Sequence, residues 1–165
     1  MLINSFETIR LFVTRLSLDD AEFIKQLVNT PDWLKFIGDR KIKTLNDAET
    51  YINRIAADDA IHFWTMKEKE TSKPIGILTL IKRAALDYPD FGFALLPEYY
   101  GKGYASEAAS KMLQLIAAET DIKRLLAITK QDNTSSIALL EKLGFIYQQQ
   151  SVVNSEPVML YAKEL

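Results

Sequence analysis

A short glycine-rich segment, Gly101-Lys102-Gly103, has the residue types of an anion-binding turn. It directly precedes a stretch with helical apolar spacing, so we expect a helix to begin there. Glycine allows the backbone to approach a ligand closely and to adopt positive φ angles. The first N–H groups of a helix lack intrahelical partners and, with the helix dipole, favour a phosphate group. The segment therefore predicts a pyrophosphate site to which Lys102 adds charge. An ordinary tight turn is the alternative, because the pattern is short.

Two other phosphate-binding motifs do not match this segment. The dinucleotide-binding fingerprint requires Gly or Ala at the position of Ser106, and an acidic residue after the next strand, whereas Asp121 precedes that strand. A P-loop requires Ser or Thr directly after its Gly-Lys pair, whereas Gly103 follows Lys102 here. Neither motif accounts for the glycine segment.

The composition excludes several kinds of reactive site. The chain of 165 residues has no cysteine and one histidine, His62. This excludes disulfides, thiolate nucleophiles, Cys-based metal sites and His-pair metal sites, so we expect no metal. A Ser-His-Asp hydrolase would depend on His62 alone, and a histidine between aromatic neighbours is more typical of a packed residue. Proton chemistry is left to carboxylates, hydroxyls, lysines and backbone amides.

Length and charge restrict the class of protein further. One domain, 1–165, fits this length better than two. The net charge of −2 gives no basic field that would attract nucleic acid, and no apolar run is long enough to span a membrane. Residues 1–10 have no signal-peptide pattern. We therefore expect a cytoplasmic protein, monomer or homodimer, with neither a nucleic-acid nor a membrane partner.

The hydrophobic pattern predicts an α/β (α+β) domain in which a strand leads into the glycine segment. The expected order is a strand, two helices, three strands, a helix, a strand, a helix and two strands, with the strands at 9–15, 61–67, 74–82, 88–96, 125–129, 145–150 and 158–162. The sequence Thr30-Pro31-Asp32 is expected to break the first helix. The unit from 88 to 129 should form a right-handed parallel crossover. We expect a mixed, mostly antiparallel sheet of about seven strands with helices on both faces.

The segment Tyr100–Ala105 resembles motif A of the GNAT acetyltransferase superfamily, whose pattern is Gln/Arg-x-x-Gly-x-Gly/Ala. Ala105 takes the last small position, and Tyr100 replaces the opening Gln or Arg. Further segments resemble, in the right order, features of the ribosomal-protein N-terminal acetyltransferase-like branch: 8–11, 33–39, 90–93, 133–137 and 140–145. The resemblance covers nearly the whole chain and implies a GNAT-like domain with N-acetyltransferase activity.

The resemblance also implies acetyl-CoA as the donor and assigns its contacts. Backbone amides around the glycine segment would hold the pyrophosphate: Tyr100, Gly101, Lys102, Gly103, Tyr104 and Ala105. Exposed backbone would pair with the pantetheine arm like an added strand at Phe93, Ala94 and Leu95. Asn133 would hydrogen-bond the same arm, and Ser136 is expected beside it. This placement agrees with the rule that ligands bind beyond the carboxyl ends of parallel strands.

Direct transfer to a primary amine in a ternary complex is expected, because a chain without cysteine cannot form an acetyl-cysteine intermediate. Asp90 takes the family's glutamate position and is the expected base, although an ordinary Asp pKa of about 3.9 makes it a weak base near neutral pH. The alternative is that Asp90 only binds the amine or caps the strand. Leu140 stands where many members have a tyrosine acid, so Ser136 is the expected acid. Helix capping is the alternative for Ser136 and for Asn133.

The expected acceptor is a protein N-terminal α-amine or a small amine. Its candidate contacts are Trp33, Phe36, Ile37, Asp39, Arg40 and Asp90. The apolar members have near-helical spacing, so a core position is the alternative for them. The acidic residues within 84–101, with no Lys or Arg among them, favour a cationic acceptor. A CoA-binding sensor without turnover is the second functional hypothesis.

Overall fold

The fold is built on one eight-stranded sheet. The computed structural model describes residues 3–165, so residues 1 and 2 of the expected domain lie outside it. The strands are β1 (Ser5–Glu7), β2 (Leu11–Arg15), β3 (Ile61–Glu68), β4 (Pro74–Ile81), β5 (Asp90–Leu95), β6 (Arg124–Thr129), β7 (Ile146–Val153) and β8 (Glu156–Glu164). They lie in the order β1-β2-β3-β4-β5-β6-β8-β7, and every neighbouring pair is antiparallel except β5–β6. The expected mixed, mostly antiparallel sheet is confirmed.

Helices cover both faces of the sheet, as expected. They are α1 (Ala21–Leu27), α2 (Pro31–Phe36), α3 (Leu45–Ala56), α4 (Tyr104–Glu119) and α5 (Thr134–Lys142). Side chains alternate between the faces of a strand. Phe63 and Ile77 therefore pack in one core with α1, α2 and α3, whereas Trp64 and Leu78 pack in the other with α4. No helix within residues 3–165 is long and apolar enough to cross a membrane.

Two short elements go beyond the predicted order. The three-residue strand β1 pairs antiparallel with β2, and it is too short to show a period in the sequence. Pro31 begins helix α2 rather than simply ending α1, because a proline at the first helical position loses no hydrogen bond. The hydroxyl of Thr30 accepts the N–H of Trp33 and caps α2. Residues 3–165 thus form eight strands rather than seven, and five α-helices rather than four.

The parallel pair of strands separates almost at once. Asp90 and Leu126 are the single paired position of β5 and β6. Strand β5 remains paired with β4 from Asp90 to Leu95, and β6 remains paired with β8 as far as Thr129. A gap therefore opens between β5 and β6 toward their carboxyl ends. The chain leaves β5 there and enters α4 through the glycine segment.

Candidate functional site

A cavity of about 310 Å³ lies at this gap. Its walls come from the end of α2 and the loop after it, from strands β4, β5 and β6, from the start of α5, and from the β7–β8 turn. Predicted site residues that line it are Trp33, Phe36, Ile37, Arg40, Asp90, Phe93, Ala94, Asn133 and Ser136. Residues separated by more than 100 positions in the sequence are thus brought around one space.

Asp90 lies where β5 and β6 part, and it is almost completely buried. The Nε of Arg83 donates to its Oδ2 at 2.6 Å. Burial raises the pKa of the Asp90 carboxyl, while the positive charge and hydrogen bond of Arg83 oppose that rise. Arg83 directly precedes the acidic segment 84–101 and pairs with one of its carboxylates, that of Asp90. The preference for a cationic acceptor, expected from this segment, stays a prediction.

The start of α5 places two polar residues on the cavity. The Oδ1 of Asn133 accepts the N–H of Ser136 at 3.3 Å and caps the helix. Asn133 thus acts as a cap, one of the two expected roles, while its side chain also lines the cavity. Ser136 contributes only its backbone N–H to this cap. Its hydroxyl is therefore not needed for capping. Leu140, one turn further along, is buried in the cavity wall.

The loop after α2 forms the opposite side of the cavity. Trp33 is buried in the core and also lines the cavity, so the core position is confirmed and the contact with the acceptor stays a prediction. The guanidinium of Arg40 lies over the Trp33 ring, 5.9 Å from its centroid. Asp39 is not among the residues that line the cavity. It pairs instead with Lys41 at 2.9 Å and accepts that residue's N–H.

The backbone of β5 determines which of its residues face the gap. Residues of an antiparallel pair alternate between bonded and non-bonded positions. Leu96 donates its N–H to the carbonyl of Ile75 at 2.8 Å, so the backbone groups of Ala94 also point toward β4. Those of Phe93 and Leu95 point toward the gap. Of the three residues expected to pair with pantetheine, two therefore offer backbone groups there, and Ala94 offers a methyl group.

The glycine segment forms a turn that only glycine adopts without strain. Gly101 has φ +70° and Gly103 has φ +82°, both in the left-handed region. Gly103 is the N-cap of α4, and the first bond of that helix runs from the Glu107 N–H to the Gly103 carbonyl. The N–H groups of Tyr104 and Ala105 therefore have no helical carbonyl to bond. The space around Gly101 is open, since an added Cβ would meet no atom within 4 Å.

A brace from the first strands holds this turn, and sequence reasoning missed it. The Nε of Arg10 pairs with Glu107 at 2.7 Å, and its NH1 donates to the Lys102 carbonyl at 2.9 Å. The same guanidinium stacks on the Tyr104 ring, 4.2 Å from the centroid. A Cβ on Gly103 would lie 3.3 Å from Arg10 NH2, which is a tight contact. No local signal links positions 10 and 107.

Tyr100 and His62 are not available as bases for this site. Burial, and then the charge and hydrogen bond of Asp32, raise the pKa of Tyr100 to about 12, so the phenol stays protonated. His62 does not line the cavity. It lies 3.0 Å from Arg15 NH2, and burial lowers its pKa. Among residues 3–165 no three His, Cys, Asp or Glu side chains group in a way that could hold a metal ion.

The sequence matches a known family over most of its length. Residues 10–146 match the family model described as "Acetyltransferase (GNAT) domain". A protein of Bacillus subtilis (strain 168), described as the uncharacterized N-acetyltransferase YnaD, is 26% identical over 137 residues, which cover 83% of this chain and 79% of that protein.

Solved structures share the fold. A spermidine N-acetyltransferase from Vibrio cholerae, in complex with CoA and spermine, has a TM-score of 0.79 and 19% identity, covering 94% of this chain and 95% of that one. A ribosomal-protein-S5-alanine acetyltransferase from Vibrio fischeri has a TM-score of 0.80 and 20% identity, covering 98% and 97%. The family match and the shared fold lead to one conclusion: the chain belongs to the GNAT family of acetyl-CoA-dependent N-acetyltransferases.

Proposed function

We propose that the chain transfers the acetyl group of acetyl-CoA directly to a primary amine in a ternary complex. One observation carries the proposal, namely that the chain leaves β5 at the gap between β5 and β6 and enters α4 through the Gly101–Gly103 turn. The gap offers strand backbone, and the turn offers unpaired amides at the start of a helix of 16 residues. The acceptor enters from the side of α2, where the other half of the cavity lies.

The residues present fit an elongated, anionic donor. The amides of Tyr104 and Ala105, the helix dipole and Lys102 suit the pyrophosphate. The glycines leave the turn open at Gly101, and a side chain at Gly103 would press on Arg10. The backbone of Phe93 and Leu95 suits the amide-containing pantetheine arm, as does the side chain of Asn133.

The chemistry requires a neutral amine, a base that takes one proton from its nitrogen, and an acid that gives one proton to the departing sulfur. Acetyl-CoA, when bound, supplies the acetyl group as a thioester. As the nitrogen–carbon bond forms and the carbon–sulfur bond breaks, Asp90 is proposed to take the amine proton. Burial raises the pKa of this carboxyl, which makes it a better base than an exposed aspartate. Ser136 is proposed to donate a proton to the departing sulfur, because Leu140 offers no phenol at that wall. Water then returns a proton to Ser136 and takes the proton from Asp90, which restores both groups.

We place the chain in the ribosomal-protein N-terminal acetyltransferase-like branch. The absence of a tyrosine at Leu140 and the sequence of the five resembling segments support this placement. The fold likeness to a ribosomal-protein-S5-alanine acetyltransferase agrees with it. Membership of this branch is compatible with a protein N-terminal amine and with a small amine as acceptor. The residues that line the cavity are the evidence that distinguishes the two.

The donor site is tested by binding of CoA to Gly103→Glu. The substitution places a side chain and a negative charge where the pyrophosphate is proposed to lie. Ser110→Glu is the matched control, since it adds the same charge at an exposed position of α4. In a thermal-shift assay, CoA at 100 times its Kd should stabilise the wild type by about 2.7 kcal/mol. We expect the Ser110 variant to behave alike and the Gly103 variant to lose this stabilisation.

The thermal-shift assay and an assay for release of the CoA thiol together have three decisive outcomes. Unchanged CoA affinity in a folded Gly103→Glu variant would remove the pyrophosphate assignment. Stabilisation by CoA, with no thiol released by any amine, would favour the sensor hypothesis over an enzyme. Amine-dependent release of the CoA thiol by the wild type, measured with a thiol reagent, supports the proposed transfer.

A further inference from the structure

The acceptor side of the cavity is largely apolar. Trp33, Phe36 and Ile37 line it from α2 and the residue after it, and Phe63, Ile77 and Ile81 line it from the sheet. Binding of an apolar group to such a surface is favourable, because it removes apolar area from water. It therefore suits an acceptor with an apolar side chain rather than a wholly polar one.

The charged residues around the cavity are mostly neutralised by one another. Asp90 pairs with Arg83 at 2.6 Å. Glu156 lies 3.7 Å from the Nζ of Lys130, which also donates to the Lys35 carbonyl. No lining carboxylate in residues 3–165 is thus left without a cationic partner. A polyamine, which carries several positive charges at neutral pH, would find no free counter-charge here.

Arg40 is the exception to this neutralisation. It lines the cavity, and it forms no ion pair with the residues that the structure describes. Its guanidinium lies over the Trp33 ring, and a left-handed turn at Gly38, with φ +117°, precedes it. A guanidinium in this setting binds a carboxylate through two parallel hydrogen bonds.

A second donor lies on the same wall. The buried indole N–H of Trp33 makes no hydrogen bond with any residue from 3 to 165. Buried polar groups almost always have a partner, and an unpaired one costs free energy. Trp33 thus places an unpartnered polar group in the wall on which the Arg40 guanidinium lies.

We infer that the acceptor is an amine that also carries a carboxylate and an apolar side chain, that is, an apolar α-amino acid rather than a polyamine. The apolar wall holds the side chain, and Arg40 holds the carboxylate. The amine is left to face Asp90 and the gap between β5 and β6. This inference rests on the proposed acetyl transfer and narrows its acceptor.

The test compares leucine, leucinamide and spermidine as acceptors for wild type, Arg40→Gln and Lys41→Gln. Leucinamide keeps the amine and the side chain but lacks the carboxylate. Lys41→Gln is the matched control, because Lys41 is adjacent, exposed and absent from the cavity wall. We expect the wild type to prefer leucine. Arg40→Gln should raise the KM for leucine about tenfold or more, as expected for a lost charged hydrogen bond. It should leave leucinamide and the Kd of CoA nearly unchanged.

Other results would overturn the inference in distinguishable ways. A higher kcat/KM for spermidine or leucinamide than for leucine would refute the acceptor class and leave acetyl transfer intact. Equal effects of Arg40→Gln on leucine and leucinamide would show that Arg40 does not read the carboxylate. CoA binding with no amine turned over would refute the proposed transfer, and this inference with it.

Discussion

Arg83→Met should destabilise the protein by about 3 kcal/mol at pH 7. Arg83 Nε lies 2.6 Å from Asp90 Oδ2, and the two side chains are 27% and 6% exposed. Removing one partner of a buried ion pair costs about 3–5 kcal/mol, because the other charge stays buried and unpaired. The partial exposure of Arg83 places the expected loss at the lower end. For a chain of this size that corresponds to a fall in Tm of about 6–12 °C.

The stability loss of Arg83→Met should depend on pH, and the protonation of Asp90 determines the direction of that dependence. Burial raises the pKa of this carboxyl in the folded protein, and removing Arg83 removes what opposes the rise. The folded state then holds more protons than the unfolded state, so stability falls as pH rises. The fall begins near the unfolded pKa of about 3.9 and ends above the folded pKa. Arg83→Met should therefore cost less at pH 5 than at pH 7.

Urea denaturation at the two pH values measures this, with two further variants. Arg83→Met combined with Asp90→Asn leaves neither charge, so it should recover at least about 1 kcal/mol relative to the sum of the single losses. Lys82→Met, a neighbouring exposed cation, should change stability by less than about 0.5 kcal/mol. A pH-independent loss, or full stability of Arg83→Met at pH 7, would refute the buried charge pair.

Two further predictions concern the helix starts. Asn133→Ala should lower the free energy of unfolding by about 1 kcal/mol, because it removes the α5 cap. Ser136→Ala should change that free energy by less than about 0.5 kcal/mol and should lower kcat instead. Urea denaturation measures the first effect, and acetyl-transfer kinetics measure the second. Gly101→Ala and Gly103→Ala should each lower the free energy of unfolding by about 1–2 kcal/mol, because alanine is strained in the left-handed region. The loss should be larger at Gly103, where Arg10 must also move. Equal losses in urea denaturation would contradict that contact.

Local sequence signals predicted the glycine turn and the helix that follows it. The glycine turn and the start of α4 depend on neighbours within a few positions, so residue types alone predicted them. The cap of α5 by Asn133 also depends on near neighbours. An asparagine side chain can cap a helix or bind a cofactor, so its residue type alone did not distinguish these two roles. Elements as short as β1 and α2 carry too few residues to show a period.

The acceptor side depended on contacts that the sequence does not display. Arg83 meets Asp90 only because the β4–β5 hairpin pairs Ile81 with Asp90. This single register places one carboxylate of the acidic segment, that of Asp90, against a cation. Arg10 pairs with Glu107, which lies 97 positions later in the sequence. The gap between β5 and β6 arises because these strands pair with each other at one position and then only with other strands.

In the proposed reaction, the gap and the glycine turn form a donor site beside the pocket for the amine. Steady-state acetyl transfer by the wild type, with the product identified by mass spectrometry, tests it most directly. We expect one N-acetylated amine for each CoA thiol released, with turnover lost in a folded Gly103→Glu variant and kept in Ser110→Glu. Undiminished turnover in the folded Gly103→Glu variant would contradict it.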